Sequence, residues 1–213
     1  MKTVSRRGSL AQKIKLSTIA EALGVSTATV SLALRDSPLV ADSTRDRIKE
    51  YAREIGYIYN RRAASLRTSR SGIVGVVVHD IMNPFFAEIL RSIETELDRS
   101  RQTFLLSNHY DKLDKQRTFL DTLLQLGADG VIMSPAIGTP SEDIRMLEDN
   151  GLPAVLIARS VPGADVPVFR GDDAYGISLA TNHLISLGHT RIAMIGGTDH
   201  TSTGRERYRG YVA

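Results

Sequence analysis

Ser26, Thr27, Ala28, Thr29, Ser31, Leu32 and Arg35 fall within ten residues. Together they offer short hydroxyls, a methyl group, a branched apolar side chain and one guanidinium. Hydroxyls and guanidiniums meet base edges or phosphates, and apolar groups meet thymine methyls, so the set suits a DNA major groove. It lies within LSTIAEALGVSTATVSLALR, residues 16–35, which reads as two short helices and a tight turn. Ser17 and Ser26 are placed to cap the two helices. Gly24 supplies a positive-φ turn, and small Ala20 lets the helices cross closely. Ile19, Leu23, Val25, Val30 and Leu34 are the expected core. The stretch predicts a helix-turn-helix with its recognition helix at 27–35. An ordinary αα-corner is the plainer alternative.

Charge separates the two readings. Residues 1–72 hold 14 Lys and Arg against 6 Asp and Glu, whereas 73–213 hold 13 against 18. A basic head on an acidic body suits a head that alone meets a polyanion. The chain has no Cys, which excludes disulfides and thiolate metal sites. No apolar run reaches membrane-spanning length, and the basic start lacks the apolar core of a signal peptide, so a cytoplasmic protein is expected. The five His are scattered, and no metal or other cofactor is expected. IGGTDHTSTG (195–204) fits neither a dinucleotide fingerprint nor a P-loop and reads as a strand-to-helix turn. His79-Asp80 closes a strand, where open α/β sheets bind ligands. No nucleophile accompanies it, so binding is expected rather than catalysis, and the protein is not expected to be an enzyme.

Residues 1–15 read as a flexible basic arm in which Arg6 and Arg7 could reach phosphates. The helix-turn-helix domain spans 16–59. Ser43 should cap its third helix, Ile48, Tyr51, Ala52 and Ile55 should face inward, and Gly56 should end it. Residues 60–72, NRRAASLRTSRSG, read as a linker with fair helix propensity. Residues 61–67 are too short for a free helix but could be helical against DNA. From 73 the pattern is βαβαβαβ: strands 73–78, 103–107, 130–134 and 154–158, helices 84–100, 112–126 and 141–150. This predicts a parallel sheet with helices on both faces. A second run begins after 171, with helix 174–187, strand 191–195 and a helix starting near 205. The fold class is thus an all-α head plus α/β, with lobe 1 at 73–170 and an incomplete second lobe at 171–213.

The assembled features resemble the LacI family of bacterial transcription regulators. The resemblance is carried by IAEALGVSTATVSLAL, VADSTRDRIKEYAREIGY, NRRAASL, NPFFAEIL, DGVIMSP, LISLGHTRIAMIGG and RYRGY. It implies a homodimer on a palindromic operator and a two-lobed, periplasmic-binding-protein-like sensor with a small-molecule effector, a sugar, in its cleft. It implies that Leu16, Ser17, Ser26, Thr27, Ala28, Thr29, Ser31, Leu32 and Arg35 face DNA. It makes 61–67 a hinge helix in the minor groove, with Asn60 at its start, Ala63 allowing close approach and Leu66 wedged into a base step. Phe85 and Phe86 match cleft-lining positions, and Arg207 matches a polar ligand anchor. Leu32 and Arg35 depart from the family's usual Arg and Asn, Tyr59 from its Pro, and Ala158 from its Asp. Family chains continue past the equivalent of Ala213, so weaker effector binding is expected of these 213 residues alone. A small-molecule binding protein without DNA regulation is the alternative function.

Overall fold

The computed structural model describes residues 14–59, 70–197 and 199–213. The arm through residue 13, the hinge segment 61–67 and the positions Asn60, Ala63 and Leu66 lie outside the described residues. The chain divides into two compact units, Met1–Ala64 and Ser65–Ala213.

In the first unit, α1 spans Leu16–Leu23, α2 Thr27–Ala33 and α3 Asp42–Glu54. Helices α1 and α2 meet at 105°, joined through Gly24 at φ 66°. Ser26 Oγ accepts the Thr29 N–H at 3.0 Å, the expected cap. Two expected caps are displaced. Helix α1 starts one residue before Ser17, and the Lys15 N–H donates to Thr18 Oγ1 at 3.4 Å. Helix α3 starts at Asp42, so Ser43 lies inside its first turn. Asp42 there complements the helix dipole and pairs with Arg45 at 2.8 Å. Ile19, Ala20, Val30, Ala33, Val40, Ile48 and Ala52 form the buried core. Leu23, Val25, Leu34, Tyr51 and Ile55 pack around it, half-buried. Gly56, at φ 71°, follows the end of α3.

The second unit contains a parallel sheet in the order β2-β1-β3-β4-β5. Its strands are β1 (Ile73–Val78), β2 (Thr103–Asn108), β3 (Gly130–Met133), β4 (Ala154–Ile157) and β5 (Val168–Phe169). Helices α4 (Pro84–Arg99), α5 (Leu113–Leu126) and α6 (Ser141–Asp149) connect them. Adjacent β1 residues point to opposite faces. Val77 joins Leu120, Leu123, Met133, Ile144 and Leu147 in one core, while Val78 joins Phe86 and Ile157 in another. Val78 pairs with Asn108 and Val77 with Met133, which aligns the carboxyl ends of three strands.

Helices α7 (Asp173–Ser186) and α8 (Ser202–Val212) follow and pack on each other. The expected strand at 191–195 does not form. Its backbone is irregular, and Ile195 is 98% exposed. A strand needs a neighbour for its N–H and C=O groups, and no described strand lies beside this one. The Tyr211 hydroxyl instead donates to the Ile192 carbonyl at 2.7 Å. Among the described residues no single helix is long and apolar enough to cross a membrane.

Candidate functional site

The candidate groove-facing surface is the outer side of α2. Ser26, Thr27 and Ala28 are exposed, while Thr29, Ser31, Leu32 and Arg35 are half-buried. Thr29 Oγ1 lies 2.9 Å from Ser26 Oγ, so both hydroxyls are held at the helix start. Arg35 Nε donates to the Ser31 carbonyl at 3.1 Å, which folds its stem back along the helix. Leu32 packs against the core as well as facing outward, and so does Leu16. These two positions therefore hold the head together besides offering contact surface. Ser17 is half-buried in the first turn of α1.

Much of the positive charge on α3 serves the head itself. Arg45 donates to the Val40 carbonyl at 2.7 Å and to the Ser37 carbonyl at 3.4 Å. Arg47 donates to the Leu23 carbonyl at 3.3 Å, at the end of α1. Lys49 is ion-paired with Asp36, whose φ of 60° turns the chain away from α2. These contacts hold the helices and loops that present α2.

The second candidate site is a cleft of about 570 Å³ at the carboxyl ends of the strands in the second unit. Such crevices are where open α/β sheets take ligands. Phe85, Phe86 and Arg207, the three residues that the family resemblance implies for the effector, all line it. The two phenyl rings differ in role. Phe86 is 2% exposed and belongs to the core, edge-on to His79 at 4.8 Å between ring centroids. Phe85 is 55% exposed and stands edge-on to Phe86 at 5.1 Å. Asn83 fixes the start of α4 by accepting the Phe85 N–H at 3.0 Å. Arg207 Nε donates to Asp173 Oδ1 at 2.7 Å, which ties α8 to α7 beside the cleft.

His79, singled out in the sequence at a ligand-binding strand end, also lines the cleft, whereas several other lining residues were not singled out as a site. Asp111 follows β2, and Arg159 follows β4. The two form a double hydrogen-bonded ion pair, with the Nη2–Oδ2 contact at 3.3 Å. Burial pushes the Asp111 carboxyl up, but the Arg159 hydrogen bond and charge, with the Ile137 amide, outweigh this and leave it below its ordinary value. His79 is lowered first by burial and then by the Arg159 charge. Thr201 and Thr203, in the segment read only as a turn, also line the cleft. Ala158 lines it with φ 60°, and its N–H donates to the Phe169 carbonyl at 2.9 Å. The usable signal was position. Residues just after parallel strands converge, but their pairing across 48 positions is not written in local pattern.

Behind this rim, His109 is fully buried. Its Nδ1 accepts the Asp111 N–H at 3.0 Å and its Nε2 donates to the Ser134 carbonyl at 2.8 Å. That pattern requires the neutral ring. Burial lowers its basicity, with a further contribution from Arg159. Among the described residues no group of three or more His, Asp or Glu could hold a metal ion.

Comparison with known proteins places both units. Residues 15–60 match the bacterial regulatory proteins of the lacI family. Residues 71–213 match the periplasmic binding proteins and sugar-binding domain of the LacI family. The chain is 36% identical over 204 residues to the maltose regulon regulatory protein MalI of Escherichia coli, covering 95% of this chain and 59% of MalI. It is 32% identical over 192 residues to the ribose operon repressor of Bacillus subtilis, covering 90% and 57%. Among solved structures, a LacI-family transcriptional regulator from Silicibacter pomeroyi aligns with a TM-score of 0.74 at 26% identity, over 93% of this chain and 60% of that one. A lac repressor dimer bound to operator aligns with a TM-score of 0.76 at 24% identity, over 94% and 61%, a likeness of fold. The chain thus spans somewhat more than half the length of these relatives. With a helix-turn-helix unit and a parallel-sheet unit each matched in turn, the chain belongs to the LacI family of bacterial regulatory proteins.

Proposed function

We propose that this chain is a sequence-specific transcription regulator of the repressor type. It binds a palindromic operator in double-stranded DNA as a homodimer, and a sugar in the cleft changes its operator affinity. The observation that carries the reading is the pairing of two features in one chain. One is a helix capped by Ser26 that presents Thr27, Ala28 and Ser31. The other is a cleft lined by an exposed aromatic ring and two Arg–Asp pairs. Relatives named as the maltose regulon regulator and the ribose operon repressor support the regulatory role. A CelR–cellobiose complex, similar in fold with a TM-score of 0.57 at 29% identity, supports a sugar in the cleft. The proposed hinge contacts at Asn60, Ala63 and Leu66 rest on the family resemblance. A cytoplasmic location follows from the same proposal.

The test is selection of bound sequences from a random DNA library, then titration of the winning site with candidate sugars. A two-fold symmetric motif, released or tightened by a sugar, is the expected result. Absence of any enriched motif would exclude the regulatory reading.

A further inference from the structure

We propose that the cleft selects an uncharged, polyhydroxylated effector over phosphorylated or acidic sugars, and that Asp111 sets this selectivity by occupying Arg159. The inference rests on reading the cleft as the effector site. Two guanidiniums line it, and each already faces a carboxylate. Both terminal nitrogens of Arg159 bind Asp111, and Nη1 also donates to the Pro135 carbonyl at 3.2 Å. The Arg207 Nε is on Asp173 at 2.7 Å. Arg159 holds the Asp111 carboxyl below its ordinary value, and burial lowers the basicity of His79.

The lining is therefore charge-balanced. An entering phosphate would meet the carboxylates of Asp111 and Asp173, and could recruit Arg159 only by breaking its pair. Displacing one member of a desolvated ion pair is costly. A vicinal diol makes no such demand. It donates to carboxylate oxygens and accepts from guanidinium N–H groups while both pairs stay closed. Phe85 adds an exposed apolar ring for the C–H face of a sugar. A volume of about 570 Å³ lies within the range of small-molecule sites.

Asp111 acts through Arg159, so it is a positioning residue, and the test needs a readout that loosening alone cannot move. That readout is a gain of anion binding. The full 213-residue chain and its variants are titrated calorimetrically with inorganic phosphate, glucose, maltose, cellobiose and glucose 6-phosphate at constant ionic strength. Asp111→Asn should gain roughly tenfold or more in phosphate affinity, the scale of one added charge-assisted hydrogen bond. Asp111→Glu should keep the parent's rejection, and Asp111→Asn with Arg159→Gln should lose the gain. Asp173→Asn frees Arg207 and should gain phosphate in the same way, so the proposal stays testable if Asp111→Asn fails to fold.

The inference is overturned if the parent prefers glucose 6-phosphate to glucose, if a folded Asp111→Asn gains no phosphate affinity, or if, where that variant does not fold, Asp173→Asn gains none. A neutral sugar that shifts operator affinity without any such gain sinks the inference and leaves the effector reading standing. A phosphate gain in a protein whose operator affinity answers to no sugar supports the charge rule and sinks the effector reading.

Discussion

At Leu32, core packing and the proposed DNA contact fall on one side chain. It packs half-buried against the head core and sits in the expected DNA-facing row. Its apolar tip suits a thymine methyl, whereas an Arg there would suit guanine, with discrimination of about 1–3 kcal/mol for a good bidentate pair. Leu32→Arg is expected to move the selected motif toward guanine at one symmetric pair of positions. The Arg stem can replace part of the lost packing. An unchanged motif would refute the base assignment. Ser26→Ala removes the cap on Thr29 and should cost about 1 kcal/mol in denaturant unfolding of the head. His109 gives a pH signature. Its folded basicity is lowered by burial, so below its ordinary value of 6.5 the unfolded chain binds protons that the folded ring refuses. Stability should therefore fall as pH drops through about 6.5 and level off only below the folded pKa. His79 has the same sign. Asp111, held low by Arg159, adds a loss at more acid pH, below its ordinary 3.8. Denaturant curves at pH 7.5 and 5.5 should show the loss, and it should shrink in His109→Gln. Equal stability at the two pH values would contradict the neutral-ring geometry.

Among the elements, packing geometry decides where pattern reading succeeds. The spacing of Ile48, Tyr51, Ala52 and Ile55 was enough to place α3, because a buried stripe imposes its own period. The four main strands were legible for a related reason. A strand covered on both faces must be apolar throughout, as in IVGVVV, whereas the half-exposed edge strand β2 keeps only the short apolar run FLL. The two-residue β5 has no such run. The segment 191–195 has one, yet apolar pattern alone cannot supply a hydrogen-bonding neighbour. The cap positions lie two residues before Ser17 and Ser43, at Lys15 and Ala41, neither of them a short polar residue that sequence preference would pick out. At the cleft, the lining positions of Phe85, Phe86 and Arg207 could be read from motifs, whereas Asp111 and Arg159 meet only after four strands, β2-β1-β3-β4, have aligned. Helix contact offers a sharp test. A Cβ on Gly210 would lie 2.0 Å from the Ala174 carbonyl oxygen, a backbone atom that cannot swing away. Gly210→Ala should push α8 from α7, lower stability by about 1–3 kcal/mol and disturb the neighbouring Arg207–Asp173 pair. Thermal unfolding checks the first effect; an unchanged midpoint would mean that the helices do not cross this closely.

At the scale of the molecule, the proposed function divides the work between a basic head and an acidic body. It assigns DNA contact to residues 1–72, and the excess of carboxylates in 73–213 is unsuited to a polyanion. The structure refines this division, since Arg45, Arg47 and Lys49 spend hydrogen bonds inside the head. The charge left for phosphates then depends more on the remaining cations, including Arg61, Arg62 and Arg67, which lie outside the described residues. Each neutralised phosphate contributes about −0.9 to the slope of log K against log salt on duplex DNA. The most direct test of operator binding by a two-headed regulator is therefore the affinity of the full 213-residue chain for its selected operator, measured by fluorescence anisotropy across a salt series. A slope steeper than about −4 is expected from two heads that each meet several phosphates. A slope near zero would contradict the account.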